Sequence, residues 1–415
     1  MRTPVSTLAV VLALTACSSS AIQNGSTGEV GTPPAQNCTP LETRAANAPD
    51  QTPAFAGQTR TCGVKSNTPL EVTVVARGLD HPWAVEPLPG GDLLVTEKPG
   101  RLRIISASGT IGEPITGLPA VDARGQGGLL DVALSPGFAT DRTIFWSYSE
   151  PRDGGNGTAV ARGVLSADRR SLSDVRVILR VLPTYNGTMH YGSRLAFAPD
   201  GKLFITTGER SNTEMRAYAQ RLDSHLGKVL RINADGSVPS DNPFVNTSGA
   251  QGQVYTLGHR NIQAASVDAQ GRLWIIEHGT RGGDELNLIE KGGNYGWPQQ
   301  AYGEEYSGNP IPGAQTAREG MKQPVYYWDP VIAPSGAQWY SANAFPAWRG
   351  NLFVGALKEK RLVRLVITND RVTQEEHLLT DRGQRIRDVR QGPDGYLYIV
   401  TDETDGQLWR VAPGR

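Results

Sequence analysis

A repeated strand pattern constrains the fold of this chain more than any other feature of its sequence. After residue 70, a strand, a turn with Gly or Asp and a more apolar strand recur six times. Turns such as Pro199-Asp200-Gly201 suit hairpins, because Pro presets one backbone angle and Gly accepts a positive φ. The pattern predicts six β-hairpins. They occupy residues 83–97, 131–150, 195–209, 265–279, 345–358 and 388–403.

A second segment, with alternating apolar and basic residues, follows each hairpin. Alternation with a period of two is typical of a half-exposed strand. Six hairpins with six outer strands predict an all-β fold, a six-bladed β-propeller with four-stranded antiparallel blades over residues 71–415. An open array of β-sandwiches is the alternative. The outer segments are 100–106, 159–166, 228–233, 285–292, 361–367 and 407–413.

The charge balance and the absence of common motifs exclude several functions. The chain has 41 Lys and Arg and 41 Asp and Glu, so its formal net charge is zero. Nucleic-acid binding depends on a basic surface that releases counterions, so we expect no nucleic-acid partner. No Walker loop, helix-opening GxGxxG, HExxH or GxSxG motif is present. A nicotinamide or flavin enzyme is therefore disfavoured.

The first residues resemble the export signal of a bacterial lipoprotein. Arg2 precedes an apolar run at 8–14 that is too short to span a bilayer, and Leu14-Thr15-Ala16-Cys17 resembles a lipobox. We expect residues 1–16 to be removed and Cys17 to be lipidated, which would anchor the protein to a membrane surface on the periplasmic side. Ser18 favours the outer membrane. An ordinary cleaved signal is the alternative, and residues 17–70 predict a tether and surface extension.

Two further cysteines, Cys38 and Cys62, follow the lipobox. An even pair in an oxidising compartment predicts a disulfide, and two free thiols are the alternative. In a chain-entropy treatment, closing a loop of about 25 residues stabilises the folded state by about 3 kcal/mol.

One His–Glu pair is placed for acid–base chemistry. His190 stands just before an inner strand and Glu209 just after the next, and the turn at Asp200-Gly201 joins the two strands. The far ends of such a hairpin meet, so both side chains should lie at one mouth of the channel. A carboxylate beside an imidazole fixes its tautomer and raises its basicity, as a general base requires. A purely structural pair is the alternative.

A glycine-rich stretch at 275–298 is a candidate cation site. It combines backbone carbonyls around glycines with the carboxylates of Asp284 and Glu285. Oxygen ligands of this kind suit Ca²⁺. A loop whose acids only cap turns is the alternative.

Basic residues in three separate segments form a candidate anion site. The three segments carry Arg260, Lys358 and the pair Arg385 and Arg387. Arg385 and Arg387 face the same side of a strand because they are two residues apart. Convergence on the channel would predict a small polyanionic ligand, since Arg binds carboxylates through two parallel hydrogen bonds. Solvated surface charges are the alternative.

Six segments in a fixed order resemble the pyrroloquinoline quinone (PQQ)-dependent aldose sugar dehydrogenases and the soluble quinoprotein glucose dehydrogenases. The resemblance covers residues 71–413. It implies a PQQ- and Ca²⁺-dependent enzyme that oxidises the C1 hydroxyl of an aldose to an aldonolactone and passes electrons to an external acceptor. The segments are GQGGLLDVALSPGF, HYGSRLAFAPDGKL, GHRN, EHGTRGGDELNLIEKGGNYGWP, APSG and RIRDV.

The resemblance also implies roles for residues at the matching positions. It implies that His190 is the general base, that Glu209 is its partner and that Arg260 stabilises charge on the quinone. The implied PQQ contacts are Gln126, Arg260, Asn261, Asp284, Tyr306, Lys358, Arg385 and Arg387. The implied calcium ligands are the backbone carbonyls of Gly279 and Thr280, and the positions of Glu285 and Tyr295.

Three departures from the family pattern leave the sugar open, and two other functions remain. Thr280 stands where the family often has Pro, Met189 where the glucose enzymes have an acid, and His278 where they have Gln. A calcium-dependent propeller hydrolase such as a lactonase is one alternative, which the many channel cations disfavour. A non-catalytic ligand-binding propeller is the other, which the retained His190 and Arg260 disfavour.

Overall fold

A computed structural model of the chain describes Met1 and residues 38–414. The expected signal segment beyond Met1, the lipobox and Cys17 lie outside the described residues. Within the described part, no helix is long and apolar enough to cross a membrane. The helical elements there are α1 (Phe138–Asp141), α2 (Thr213–Arg216) and two 3₁₀ turns, Ala217–Gln220 and Pro346–Trp348.

The described strands form six sheets, and each sheet is one blade of a propeller. The first two strands, which join later blades, are β1 (Cys62–Gly63) and β2 (Leu70–Leu79). Blade 1 contains β3 (Pro82–Pro87), β4 (Leu93–Glu97) and β5 (Arg101–Ile105). Blade 2 contains β6 (Leu129–Leu134), β7 (Thr143–Arg152), β8 (Gly155–Leu165) and β9 (Leu172–Arg180). Blade 3 contains β10 (Leu195–Phe197), β11 (Leu203–Thr206), β12 (Lys228–Ile232) and β13 (Val254–Leu257).

Blades 4 to 6 continue the same antiparallel order. Blade 4 contains β14 (Ile262–Val267), β15 (Leu273–Glu277), β16 (Asp284–Leu288) and β17 (Tyr326–Trp328). Blade 5 contains β18 (Pro334–Trp339), β19 (Leu352–Ala356), β20 (Arg361–Thr368) and β21 (Arg371–Leu378). Blade 6 contains β22 (Ile386–Gln391), β23 (Leu397–Thr401), β24 (Gly406–Pro413) and β2 from the start of the chain.

Pairing between the two ends of the chain closes the propeller. Strand β2 runs antiparallel to β24, with Val74 opposite Trp409. The innermost strands β3, β6, β10, β14, β18 and β22 contact one another in a ring around the central channel. This closure protects the sheet edges, which would otherwise expose unpaired backbone groups.

The structure confirms the predicted six-bladed propeller and corrects part of its strand assignment. The repeat copy at 345–358 contains one strand rather than two, because the Pro346–Trp348 segment is a 3₁₀ turn. Pro346 has no backbone N–H to donate to a ladder and suits the first position of a helical turn. The innermost strand of blade 5 is instead β18, whose Pro334-Ser335-Gly336 start lacks the apolar run that marks the other copies.

Apolar side chains fill the spaces between neighbouring blades. Trp83, Leu130, Trp146 and Tyr148 form part of one such layer between blades 1 and 2, and all four are nearly inaccessible to solvent. Burying side chains of this size contributes about 1.5–3 kcal/mol each relative to exposure. The apolar runs that predicted the hairpins therefore also join each blade to the next.

An ion-pair network closes the middle of the channel. Arg194 Nη1 lies 3.0 Å from Asp131 Oδ1 and 3.1 Å from Asp388 Oδ1, and all three side chains are buried. The Arg194 guanidinium also lies 4.1 Å from the ring centroid of Trp83. Arg390 joins the same network at 3.2 Å from Asp388. Charged residues of different blades thus meet where the innermost strands converge.

Part of the segment expected to be a tether and extension packs against the propeller. The disulfide predicted between Cys38 and Cys62 is present, with their Cα atoms 5.3 Å apart. Strand β1 runs parallel to β21, with Cys62 opposite Gln374, and so adds a fifth strand to blade 5. Residues 38–66 are called the N-terminal strap below.

Candidate active site

A cavity of about 300 Å³ lies at one mouth of the channel, and all six blades contribute to its wall. The wall residues stand near the starts of the innermost strands or just after the strands that pair with them. This is the end of each hairpin opposite its turn, where His190 and Glu209 were expected to meet. The lining includes His81, Trp83, Lys98, Gln126, Tyr191, Asn261, Gln263, His278, Arg385, Arg387 and Asp402.

The His190–Glu209 pair lies beside this cavity. His190 Nδ1 is 3.0 Å from Glu209 Oε1, and the backbone N–H of His190 donates to Gln126 Oε1 at 2.8 Å. Glu209 Oε2 accepts from the backbone N–H of Ser211 at 2.7 Å. His190 has a φ of 50°, a strained conformation that places the ring against its neighbours. Because Glu209 occupies Nδ1, Nε2 is the ring nitrogen left for a substrate.

The surroundings of His190 favour its neutral, proton-accepting form. Burial lowers the pKa of His190, the positive charge of Arg260 lowers it further and Arg210 adds to the effect, while Glu209 opposes them. His278 also lies close enough to be affected by the charge of His190. The imidazole is therefore neutral at neutral pH, as a general base must be.

A second His–Glu pair lies at the same end of the next blade and was missed by sequence reasoning. His259 Nδ1 is 2.8 Å from Glu277 Oε1, and His259 Nε2 is 2.8 Å from Thr256 Oγ1. Both ring nitrogens of His259 are occupied, so this pair is structural. His190 differs because Nε2 makes no hydrogen bond within the described chain. This difference separates a candidate base from a structural histidine.

Three cations and one carboxylate among the described wall residues give the cavity an excess of positive charge. Arg387 Nη2 lies 2.8 Å from Asp402 Oδ2, and Arg385 Nη2 lies 2.9 Å from the same oxygen. Lys98 Nζ donates to the carbonyl of Gly125. Burial raises the pKa of Asp402, but the charges and hydrogen bonds of Arg387 and Arg385 outweigh this effect and hold the pKa well below its usual range. Arg387 Nε is buried without a hydrogen-bond partner in the described part of the chain.

Not every predicted basic residue points into the cavity. Lys358 is exposed at the rim, while the preceding residue, Leu357, lines the wall. Lys98 and Asp402 were not identified from the sequence. Both directly follow the second strand of a hairpin, as Glu209 nearly does, and this shared position in the repeat could have identified them.

Arg260 connects the cavity to the glycine-rich loop. Its backbone N–H donates to Glu277 Oε2 at 2.6 Å, and its guanidinium donates to the carbonyl of Gly279. The guanidinium also donates to the exposed Tyr306 hydroxyl at 3.2 Å. The next residue, Asn261, lines the cavity, and its Oδ1 accepts from the backbone N–H of Gly192 at 3.1 Å.

All four residues predicted to bind metal line a second, smaller cavity of about 20 Å³. They are Gly279, Thr280, Glu285 and Tyr295. A space of this volume holds one water molecule or one ion. No group of three or more His, Cys, Asp or Glu side chains in the described residues is placed to hold a metal. A cation here would therefore depend on backbone and hydroxyl oxygens as well as on the carboxylates of Glu277 and Glu285.

The oxygen atoms around the small cavity have unused hydrogen-bonding capacity. Thr280 Oγ1 and Asn287 Oδ1 are buried without a partner in the described part of the chain. Glu285 accepts one long hydrogen bond, from Asn287 Nδ2 at 3.3 Å. Burial and the nearby charge of Glu277 raise the pKa of Glu285 well above its usual range. A buried carboxyl without a cationic partner and with spare oxygens nearby suits a hard cation.

Two other predicted residues have contacts that indicate positioning roles. The Tyr295 hydroxyl donates to the carbonyl of Leu288 at 2.6 Å, so its ring, rather than this hydroxyl, forms the cavity wall. Asp284 accepts 2.8 Å hydrogen bonds from the backbone N–H groups of Gly279, Ile332 and Ala333 and lines neither cavity. Burial raises its pKa to about 6. Asp284 thus joins the glycine-rich loop to the start of blade 5.

The chain resembles known sugar dehydrogenases in sequence and in structure. It is 46% identical over 348 residues to aldose sugar dehydrogenase YliI of Escherichia coli K12, covering 83% of this chain and 93% of that protein. The crystal structure of the soluble aldose sugar dehydrogenase of Escherichia coli in the apo form superposes with a TM-score of 0.81 at 45% identity, covering 83% of this chain and all of that one.

Another solved relative contains PQQ. The PQQ-bound form of aldose sugar dehydrogenase from Streptomyces coelicolor superposes with a TM-score of 0.69 at 30% identity, covering 84% of this chain and 99% of that one. The sequence model described as Glucose / Sorbosone dehydrogenase matches residues 79–410, which include both cavities. The chain therefore belongs to the glucose/sorbosone dehydrogenase family of oxidoreductases.

Proposed function

We propose that this protein oxidises the C1 hydroxyl of aldose sugars to aldonolactones, using PQQ and Ca²⁺ and passing the electrons to an external acceptor. The observation that carries the proposal is a neutral imidazole with a free Nε2 beside a cationic cavity. We also propose that the protein acts on the periplasmic side of a membrane, anchored through a lipidated Cys17, where sugars and acceptors can diffuse to it.

The large cavity fits PQQ by its charge and by its unused donors. PQQ carries three carboxylates, and the cavity offers Lys98, Arg385 and Arg387 against the single carboxylate of Asp402. The unpartnered Nε of Arg387 is a donor available to such a ligand. The volume of the large cavity, about 300 Å³, is at the lower end of the range for ordinary ligand pockets. Lys358, at the rim, would reach a carboxylate that projects from the cavity.

The small cavity fits calcium by its donor set. The carbonyls of Gly279 and Thr280, Thr280 Oγ1 and the Glu285 carboxylate are all hard oxygen donors. The guanidinium of Arg260 now donates to the Gly279 carbonyl, so this side chain would move toward the large cavity when a cation takes that oxygen. When bound, PQQ supplies a two-electron acceptor and calcium a Lewis acid beside it.

The side chains of the protein move the proton and stabilise charge. His190 Nε2 accepts the proton of the C1 hydroxyl as the C1 hydrogen leaves with its electron pair. Glu209 holds the ring through Nδ1 and stabilises the imidazolium that forms. Arg260 offers positive charge next to the reacting centre. Gln126, which fixes the backbone of His190 and lines the cavity, is placed to orient the sugar.

The rate will depend on pH through His190. Because the pKa of His190 is lowered below that of an ordinary imidazole, the active neutral form persists at pH values where a free histidine is half protonated. We expect kcat/KM to be constant through neutral pH and to fall only below about pH 6.5, the ordinary pKa of histidine. A pH series of dye-reduction rates at saturating PQQ and Ca²⁺ measures this. An acid limb at or above that pH would contradict the assignment.

Removal of Arg387 will weaken PQQ binding. The side chain of Arg387 is 13% exposed and that of Arg385 is 38% exposed, so Arg387 acts with less screening by water. We expect Arg387→Gln to raise the Kd for PQQ about 100-fold and Arg385→Gln to raise it less. Fluorescence titration of the apoprotein measures both. Arg169→Gln, which removes a surface ion pair with Asp92, is the control and should bind PQQ normally.

A direct assay tests the proposed function. Purified apoprotein is mixed with PQQ and Ca²⁺, and the reduction of an artificial dye is followed with several aldoses. Dye reduction that requires both additions and yields a lactone supports the proposal. Tight PQQ binding without reduction by any aldose would indicate a non-catalytic binding propeller. Lactone hydrolysis with Ca²⁺ alone would indicate the hydrolase.

A further inference from the structure

The N-terminal strap lies outside the region that the family model matches, which begins at residue 79. It nevertheless packs closely on the propeller. Gln58 and Thr61 are buried, and the Phe55 ring lies 3.5 Å from the Arg371 guanidinium. The Cys38–Cys62 disulfide closes the strap on itself. A segment outside the matched region is thus an ordered part of this protein.

The first contact of the strap is with Asp329, which lies against the glycine-rich loop. The Asp329 carboxylate accepts hydrogen bonds from the backbone N–H groups of Asn47 at 2.6 Å and Ala48 at 3.0 Å. The same carboxylate lies against Gly282, where a Cβ would be 3.1 Å from Asp329 Oδ1. The neighbouring Gly283 N–H donates to the carbonyl of Trp328 at 3.0 Å.

The second contact reaches the wall of the small cavity. Gln51 Nε2 donates to the carbonyl of Gly303 at 2.7 Å. Gly303 lines that cavity and packs against Thr280, where a Cβ on Gly303 would be 2.6 Å from Thr280 Oγ1. The next residue, Glu304, exchanges backbone hydrogen bonds of 3.0 and 3.1 Å with Arg281.

The third contact is made by Gln58, and it fixes the two segments of the propeller that take part in the first and second contacts. Gln58 Oε1 accepts from the Tyr302 hydroxyl at 3.1 Å, and Gln58 Nε2 donates to the carbonyl of Pro324 at 2.9 Å. The Tyr302 ring stacks on Tyr327 with centroids 4.1 Å apart. The backbone N–H of Tyr327 donates to the carbonyl of Gln58 at 2.9 Å. One buried glutamine therefore ties both segments to the strap.

We propose that the N-terminal strap is a positioning element for the 279–283 loop, acting through the side chains of Gln51 and Gln58. This inference rests on the proposed calcium-dependent function, because the loop supplies the carbonyls of Gly279 and Thr280. The strap holds residues 302–304 and 328–329, and these hold the loop through backbone hydrogen bonds to Arg281 and Gly283. The disulfide limits the motion of the strap and so stabilises the loop indirectly.

The test compares Gln51→Ala with wild-type full-length protein by hydrogen–deuterium exchange and calcium binding. The Arg281 and Gly283 amides donate to the carbonyls of Glu304 and Trp328, so their exchange reports the attachment of the loop. We expect exchange in the peptide 279–286 to rise about fivefold, the size of one lost hydrogen bond. We expect the Kd for Ca²⁺ alone, measured by calorimetry on the apoprotein, to rise by about the same factor.

Three further variants make the test specific. Arg44→Gln changes a strap residue whose side chain pairs, within residues 38–414, with Glu42 and Glu359, and it should leave both measurements at the wild-type value. Replacing Cys38 and Cys62 with Ser should change both measurements in the same direction as Gln51→Ala. Gln58→Ala should have the largest effect because Gln58 is completely buried. If the Gln58→Ala protein does not fold, the Gln51→Ala protein still provides the test.

The outcomes separate this inference from the proposed function. The positioning role is overturned if exchange in Gln51→Ala is unchanged, or if exchange is faster but the Kd for Ca²⁺ is unchanged. It is also overturned if the wild-type protein binds no Ca²⁺. Faster exchange with weaker Ca²⁺ binding supports it. If a wild-type protein with these properties reduces no dye with PQQ and any aldose, the proposed function fails while the role of the strap stands.

Discussion

Replacing His190 with Asn will lower kcat about 10³-fold and leave the affinity for PQQ nearly unchanged. The His190 imidazole combines a ring nitrogen without a hydrogen bond in the described chain, a tautomer fixed by Glu209 and a lowered pKa. Asn offers no base of comparable strength, so the proton of the C1 hydroxyl would have to pass to water. The cations that we propose to bind PQQ lie on other blades, and the substitution does not touch them.

The measurement separates rate from affinity. PQQ binding is titrated on the apoprotein, and kcat is then measured at saturating PQQ and aldose. His225→Gln is a matched control, because His225 is equally buried and both of its ring nitrogens already have hydrogen-bond partners. It should lose stability but keep most of its kcat. An equal loss of PQQ affinity and rate in His190→Asn would indicate a structural histidine.

The sequence predicted the fold through features that act locally. A hairpin needs a turn residue that accepts a positive φ, such as Gly201 with a φ of 78°, and an apolar strand on each side. Five of the six hairpins had both. In blade 5 the turn residue is present, since Gly350 has a φ of 75°, but the first strand lacks the apolar run because its Pro334-Ser335-Gly336 start faces the polar centre of the channel, where Gly336 packs against Asp388. Strands β9, β13, β17 and β21 also escaped prediction, since outer strands carry a weaker apolar signal.

The candidate site could be predicted only where one hairpin brings two residues together. His190 and Glu209 met as expected because their separation is set by a single turn. The pairing of Arg385 with Asp402 follows from the same geometry in blade 6. The position of Lys98 beside these residues depends on the closure of the whole ring, which joins blade 1 to blade 6. No pattern within one repeat can predict the distance between Lys98 and the residues of blade 6.

The difference between the two His–Glu pairs was also invisible in the sequence. Both histidines precede an innermost strand, and the glutamates lie at the end of the next strand, Glu277 as its last residue and Glu209 just beyond it. What distinguishes them is Thr256 Oγ1, which occupies Nε2 of His259. Thr256 lies on β13, a strand whose register includes an irregularity at Val229 and Leu230. Tertiary packing therefore decides which histidine can act as a base.

Replacing Arg194 with Met will destabilise the folded protein by about 3–5 kcal/mol, because it leaves buried carboxylates without their cation. Arg194 and Arg390 balance Asp131 and Asp388 at the centre of the channel, and burial raises the pKa of the neighbouring Glu86 to about 7. Without Arg194, Asp131 keeps a distant contact with Arg390 at 3.5 Å. The loss also reaches blades 4 and 6, because Arg194 donates to the carbonyls of Gln263 and Arg387.

Denaturant unfolding followed by tryptophan fluorescence measures this loss, since Trp83 stacks on the Arg194 guanidinium. The double variant Arg194→Met/Asp131→Asn should recover about 1 kcal/mol or more relative to the sum of the single variants, because it removes one unpaired charge while Asn keeps an acceptor for the Leu195 N–H. Arg176→Met, which breaks an exposed pair with Asp174, should change stability by less than about 0.5 kcal/mol. If Arg194→Met were as stable as Arg176→Met, the central network would contribute nothing to holding the six blades together, and apolar packing between blades would have to account for the whole stability of the ring.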